Sequence, residues 1–238
     1  MKKAIVIGAS SGIGKGIAQL LAANNYYVGI TGRRTDLLKA FASTNRNCFV
    51  AKTIDVKDTI TTPEKLTELV AELGGLDLII ISSGTGDFNE HLDFEIEKNT
   101  IATNILGFTC IADWAFNFFE KQQYGHLAAI SSVGGLRGSR VAPAYNASKA
   151  YQISYLEGLR QKSKKLGIPI FITDIRPGFV DTAMAKGEGQ FWVSSITKAA
   201  HQIINAINKK KQIVYITKRW KLIAIILRLI PNKIYNRL

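Results

Sequence analysis

Tyr145 and Lys149 stand four residues apart in "AYNASKA", a run of small residues compatible with a helix. Side chains at i and i+4 share one helical face. A phenol titrates near pH 10, and a cation beside it stabilises phenolate and lowers that value. Such a pair could therefore move a proton to or from a reacting oxygen, although by its spacing alone it reads first as an ordinary surface or packing pair. A second candidate is "GASSGIGKG", where Gly8, Gly12 and Gly14 follow an apolar run. Glycines in a strand-to-helix turn let the backbone approach a pyrophosphate, and the N–H groups of the helix N-terminus face the anion. The spacing is GxxxGxG rather than GxGxxG. The third candidate is "TGRR", in which Gly32 precedes Arg33 and Arg34. An acid there would accept hydrogen bonds from both ribose hydroxyls; a guanidinium instead takes a phosphate bidentately. This favours NADP(H) over NAD(H), with a solvated basic loop as the plain alternative.

These groups need a scaffold, and the apolar periodicity describes one. "KAIVIG", "YYVGIT" and "NCFVAKT" are each followed by a helical pattern, starting at Ile13, Thr35 and Pro63. "LDLIIIS", "HLAAISS" and "IPIFITDI" continue the alternation, separated by a long stretch from about Asp93 to Lys121 and by the helix carrying "YNASK". A seventh run, "QIVYIT", follows a helix from about Ser195 to Asn208. Near-continuous apolar strands alternating with helices indicate a parallel sheet covered on both faces. The expectation is a single-domain α/β fold, a Rossmann-like doubly wound parallel sheet over residues 1–216, with a basic amphipathic extension over 217–238.

The 238 residues supply ample material for a core. Cys48 and Cys110, far apart and flanked by apolar residues, fit reduced thiols. No metal-ligand spacing is present, and His91, His126 and His201 read as structural. The N-terminal apolar run breaks at Gly8 and is too short for a secretory leader, so a cytoplasmic location is expected. The net charge of +13 is uneven: up to Glu188 there are 21 Lys/Arg and all 18 Asp/Glu, and beyond it ten bases and no acid. That asymmetry points to an anionic partner for the C-terminal end, such as a membrane surface, an acidic carrier protein or nucleic acid; of these, with the chain read as a whole, a membrane surface is the expectation and no nucleic acid is expected.

Taken in order, these motifs resemble the short-chain dehydrogenase/reductase family over residues 3 to about 182. The resemblance implies reduction of a carbonyl or oxidation of an alcohol with NAD(P). Its glycine motif falls on Gly8, Gly12 and Gly14, its acidic residue near the adenine on Asp55 in "IDV", and its Tyr-x-x-x-Lys on Tyr145 and Lys149. The family's serine lies 13 residues before the tyrosine, which selects Ser132 in "AISSVGG" over the adjacent Ser131. Its asparagine matches Asn104 in "IATNILGF", helping to hold a relay water behind the lysine. The turn "RPGFVDT" supplies Pro177 and Gly178, and puts Val180 and Thr182 beside the nicotinamide amide. Further cofactor contacts are implied for Ser10, Ser11, Ile13, Val56, Ser83 and Gly84, along with Arg33, Arg34, Tyr145 and Lys149. In these roles Ser132 would bond the substrate oxygen, Tyr145 would supply the proton, and Lys149 would tune the phenol and hold the nicotinamide ribose. A homo-oligomer, dimer or tetramer, is implied through the two long helices. Retention of all four catalytic positions favours an enzyme over a non-catalytic NADP-binding sensor or scaffold.

Two stretches depart from the family pattern. "ISSG", residues 81–84, replaces "NNAG", and the chain ends in "KRWKLIAIILRLIPNKIYNRL" rather than a short glycine-rich strand. From Arg219 to Ile230 a helical projection gathers Lys221 and Arg228 on a narrow polar face. Pro231 and the charges make that run unable to span a bilayer. It can lie on an anionic membrane surface, on the inner face of a membrane, or dock on the domain or on a second subunit. The loop from Ala183 to Phe191, with Gly187 and Gly189, is expected to border an open pocket suited to a long or bulky apolar carbonyl.

Overall fold

The computed structural model describes residues 1–185 and 189–237. Its strands are β1 (Lys2–Ile7), β2 (Tyr26–Gly32), β3 (Phe49–Thr53), β4 (Leu78–Ile81), β5 (Gly125–Ile130), β6 (Ile170–Pro177) and β7 (Ile213–Ile216). They form one sheet in the order β3-β2-β1-β4-β5-β6-β7, and every neighbouring pair is parallel. The helices are α1 (Gly12–Ala23), α2 (Thr35–Ser43), α3 (Thr62–Leu73), α4 (Phe94–Ile101), α5 (Phe108–Gln122), α6 (Pro143–Leu166), α7 (Ile196–Asn208), α8 (Lys218–Leu229) and α9 (Asn232–Tyr235).

The strands are apolar on both sides because both faces are covered. Ile5 and Ile7 point into one core with Leu66 and Leu69 of α3, Phe108 and Phe116 of α5, and Leu156 of α6. Ala4 and Val6 point the other way, toward Ile17 and Leu21 of α1, Leu38 of α2 and Ile203 of α7. Strand order reverses between β1 and β4, and a crevice forms outside the carboxyl ends of strands at such a switch point. The loops leaving β1 and β4 meet there: a Cβ on Gly8 would stand 2.7 Å from the Ser83 backbone nitrogen.

The long segment expected from about Asp93 to Lys121 is two helices, α4 and α5, joined by a π-helical stretch over Ala102–Gly107. Pi-helical turns are rare and concentrate at functional sites.

Helix α8 docks on the domain by one strip and leaves another open. Trp220 and Ala224 are buried against Val133, with Phe179, Tyr215, Ile223 and Leu227 around them. Gly178 admits this docking, since a Cβ there would stand 1.9 Å from the Trp220 ring. Arg137 holds the other end, donating to the carbonyls of Leu227 and Ile230 at 3.3 and 3.0 Å, as basic side chains do at helix C-termini. The open strip carries Leu222, Ile225, Ile226 and Leu229, the last 75% exposed. Among the described residues no helix is long and apolar enough to cross a membrane.

Candidate active site

The glycine-turn side of the crevice is shaped by backbone. Gly8 and Gly12 adopt φ of +84° and +58°, a left-handed region that glycine enters at little cost. Gly14 must be glycine for another reason: a Cβ there would lie 2.2 Å from the Gly8 carbonyl oxygen. Ser11, at the N-cap of α1, makes no side-chain cap hydrogen bond, so the first N–H groups of α1 and Ile13 behind them stay available to an anion. Beyond β2, Arg33 is exposed. Arg34 instead turns onto the glycine loop, its Nη2 donating to the hydroxyls of Ser10 and Ser11 at 2.8 and 2.6 Å. A guanidinium and two hydroxyls are thereby gathered beside the turn.

Beyond β3, Asp55 Oδ1 accepts from the Lys57 backbone N–H at 3.1 Å, and Val56 is buried. In the "ISSG" segment the Ser83 hydroxyl is buried with no hydrogen-bond partner among the described residues. A buried hydroxyl in that state is costly and fits a ligand group at the crevice. On the far wall Thr182 closes toward the turn, its methyl 3.4 Å from where a Gly12 Cβ would be. Val180 is buried and bridges to Ser194, one residue past the Phe179 that packs on Trp220. Pro177 ends β6, and the Gly178 N–H donates to Ile216 at 2.7 Å. Gly187, expected in the pocket-bordering loop, lies outside the described residues with its neighbours Lys186 and Glu188.

The opposite side is built from side chains. Ser132 follows β5 and caps a 3-10 turn over Val133–Leu136, its hydroxyl accepting from the Gly134 N–H at 3.0 Å. The Tyr145 phenol lies near enough to this hydroxyl to feel it electrostatically. Ser131 faces the other way, donating to Asp174 and to the Ile175 carbonyl inside the sheet. Spacing and geometry thus separate the two serines in the same way. Tyr145 packs its ring on the loop after β4, where a Gly86 Cβ would be 2.6 Å from it.

Lys149 is 3% exposed and donates to the Ile130 carbonyl at 2.9 Å and to Gln152 Oε1 at 3.0 Å. Asn104 is fully buried in the π-helical stretch. Its side chain spans Thr85, donating to the carbonyl at 2.7 Å and accepting from the N–H at 2.9 Å, and it also donates to Ser148. Gly84 sits beneath both, its Cβ position 3.4 Å from Asn104 Oδ1 and 3.6 Å from Lys149 Nζ. The structure therefore brings Asn104, Ser132, Tyr145, Lys149 and Gly84 together.

Electrostatics depart from the expectation that Lys149 lowers the phenol. Burial raises the Tyr145 pKa, only partly opposed by the nearby Ser132 hydroxyl. Burial also lowers Lys149 to about 8, against the attraction of Asp174. Removal from water acts on both groups, and the Lys149 ammonium, 5.8 Å from the phenol ring centre, is turned to other acceptors. Among the histidines, His126 is buried against Thr173 and lowered to about 4, first by burial and then by Lys210. Two contributors escaped the sequence reading. Gly86 had only its place in "SSGTG" to announce it; Gln152 had its helical spacing, three residues after Lys149 and seven after Tyr145.

A family model described as short chain dehydrogenase matches residues 2–191. An uncharacterized oxidoreductase of Myxococcus xanthus is 34% identical over 188 residues, covering 77% of this chain and 74% of the relative. One from Staphylococcus aureus is 33% identical over 190 residues, covering 77% and 80%. Among solved structures, a short-chain dehydrogenase from Streptomyces avermitilis superposes with a TM-score of 0.83 at 22% identity, covering 95% of this chain and 91% of that one. A short chain dehydrogenase/reductase from Burkholderia phymatum in complex with NAD gives 0.84 at 18% identity, covering 94% and 91%. With matched sequence, matched fold and the Tyr-Lys pair at the crevice, the chain belongs to the short-chain dehydrogenase family.

Proposed function

We propose that this oxidoreductase reduces a ketone to an alcohol with NADP(H). The observation that carries the reading is the meeting of Ser132, Tyr145 and Lys149 at the switch-point crevice, opposite a glycine turn made for phosphates. When bound, a reduced nicotinamide cofactor supplies the hydride. Tyr145 gives its proton to the substrate oxygen as that oxygen gains negative charge, and the Ser132 hydroxyl donates to the same oxygen. Burial raises the Tyr145 pKa, so the phenol holds the proton that a reduction consumes. Lys149 keeps a positive charge beside the phenol after the proton has left.

For the cofactor, Gly8, Gly12, Gly14 and the start of α1 would hold the pyrophosphate. Arg34 with Ser10 and Ser11, and Arg33 beside them, would take a 2′-phosphate. Asp55 and Val56 would border the adenine, and Ser83, Pro177, Gly178, Val180 and Thr182 the nicotinamide side. The test is NADPH oxidation over ketones from short aliphatic to long-chain 3-oxo compounds. Turnover of an apolar ketone is expected, with NADPH bound more tightly than NADH and about tenfold of that preference lost in Arg34→Ala or Arg33→Ala. No turnover of any ketone with bound NADPH would leave the non-catalytic sensor or scaffold in its place.

The open strip of α8 supports a lipid-like substrate met at an anionic membrane surface. Leu222, Ile225, Ile226 and Leu229 are exposed beside Lys218, Arg219, Lys221 and Arg228, and Phe191 and Trp192, both partly exposed, pack on Trp220 of the same helix. Apolar side chains flanked by bases are what an interfacial helix presents. In flotation with anionic vesicles the parent is expected to float and Leu222→Glu/Leu229→Glu to stay down; equal flotation contradicts the membrane reading. Self-association through α5 and α6 belongs to the same proposal.

A further inference from the structure

Lys149 and Asn104 are joined by a third side chain. Gln152 is 1% exposed and lies on the α6 face that carries Tyr145 and Lys149. Its Oε1 accepts from Lys149 Nζ at 3.0 Å, and its Nε2 donates to the Asn104 backbone carbonyl at 2.9 Å. The direction of the amide is forced, because an ammonium only donates and a carbonyl only accepts. An amide meets both demands without charge: leucine meets neither, and glutamate would face the Asn104 carbonyl with no proton to offer.

We propose that Gln152 is a positioning residue of this site, tying the Lys149 ammonium to the main chain of the π-helical stretch at Asn104. With the Ile130 carbonyl it occupies two of the three N–H groups of Lys149, which fixes where the third is offered. The inference rests on the placement of Lys149 in the reductase site.

A consequence follows for the charge. Lys149 is surrounded by the Tyr145 phenol on its own helix, by Gln152, and by Asp174 on β6, itself paired with Arg176. Burial already lowers Lys149 to about 8, and the Gln152 carbonyl dipole is an acceptor for the protonated form. Removing that acceptor lowers the lysine further; replacing it with a carboxylate raises it.

The test titrates the full-length protein with ε-13C-labelled lysine by NMR, Lys149 being identified by the signal missing in Lys149→Met. The parent signal is expected to titrate well below the surface lysines. Gln152→Leu should move it down by about one pH unit and Gln152→Glu up by about one. Both variants leaving Lys149 unmoved, or shifting it the same way, would overturn the proposal. Gln152→Glu is nearly isosteric and decides alone if the leucine variant does not fold. The readout needs no substrate, so shifted titrations in a protein that reduces no ketone would sink the reductase reading and leave this inference standing.

Discussion

Gly8 to Gly14 on one side of the crevice and Asn104 to Gln152 on the other are held by different means. The first is a backbone surface: two residues with positive φ, a third too close to a carbonyl to bear a Cβ, and a helix start left uncapped. The second is a polar network around Asn104: its buried side chain bonds the Thr85 main chain and the Ser148 hydroxyl, and its backbone carbonyl accepts from Gln152, which in turn accepts from Lys149. A backbone surface fails when atoms are added to it. A polar network fails when atoms are taken away, because partners are left buried without hydrogen bonds.

That contrast can be broken by substitutions of opposite kind. The largest effect is expected for Gly14→Ala, whose added methyl meets the Gly8 carbonyl. Neither atom is the end of a flexible side chain, so a loss of more than about 3 kcal/mol is expected in thermal or urea unfolding, with NADPH binding lost. Near-parental stability would show that the turn has room the geometry denies. Next comes Asn104→Ala, which strands the Thr85 N–H and carbonyl and should cost about 2 kcal/mol. Its signature differs, since NADPH should still bind while kcat falls as the loop at Gly86 loosens against Tyr145. Loss of cofactor binding without a fall in kcat would erase the distinction between the two sides.

The same contrast explains what could be read before folding. Glycine spacing after an apolar run announces a steric need, so Gly8, Gly12 and Gly14 were legible, as was the sheet whose strands are apolar on both faces. Tyr145 and Lys149 were legible as a pair because helical period brings them together, and Ser132 because the family resemblance sets its distance from Tyr145. Gln152 lay in the same period but carries no reactive group, so nothing marked it. The turn of Arg34 onto Ser10 and Ser11, more than 20 residues earlier in the chain, depends on how β1 and β2 pair. The docking of α8 depends on Trp220 finding the gap above Gly178; an amphipathic projection shows an apolar face but not how it is divided between domain and solvent. The upward shift of Tyr145 was missed because burial acts on the phenol through the whole fold, whereas the spacing showed only its cation.

The central claim is that Tyr145 supplies the proton in a carbonyl reduction, and it is tested by Tyr145→Phe on any ketone the parent reduces, with NADPH affinity measured alongside. The phenylalanine keeps the ring that packs on Gly86 and removes only the hydroxyl. The account predicts unchanged NADPH binding and a fall in kcat of about a hundred- to ten-thousand-fold. Parental rates on every active substrate would contradict it.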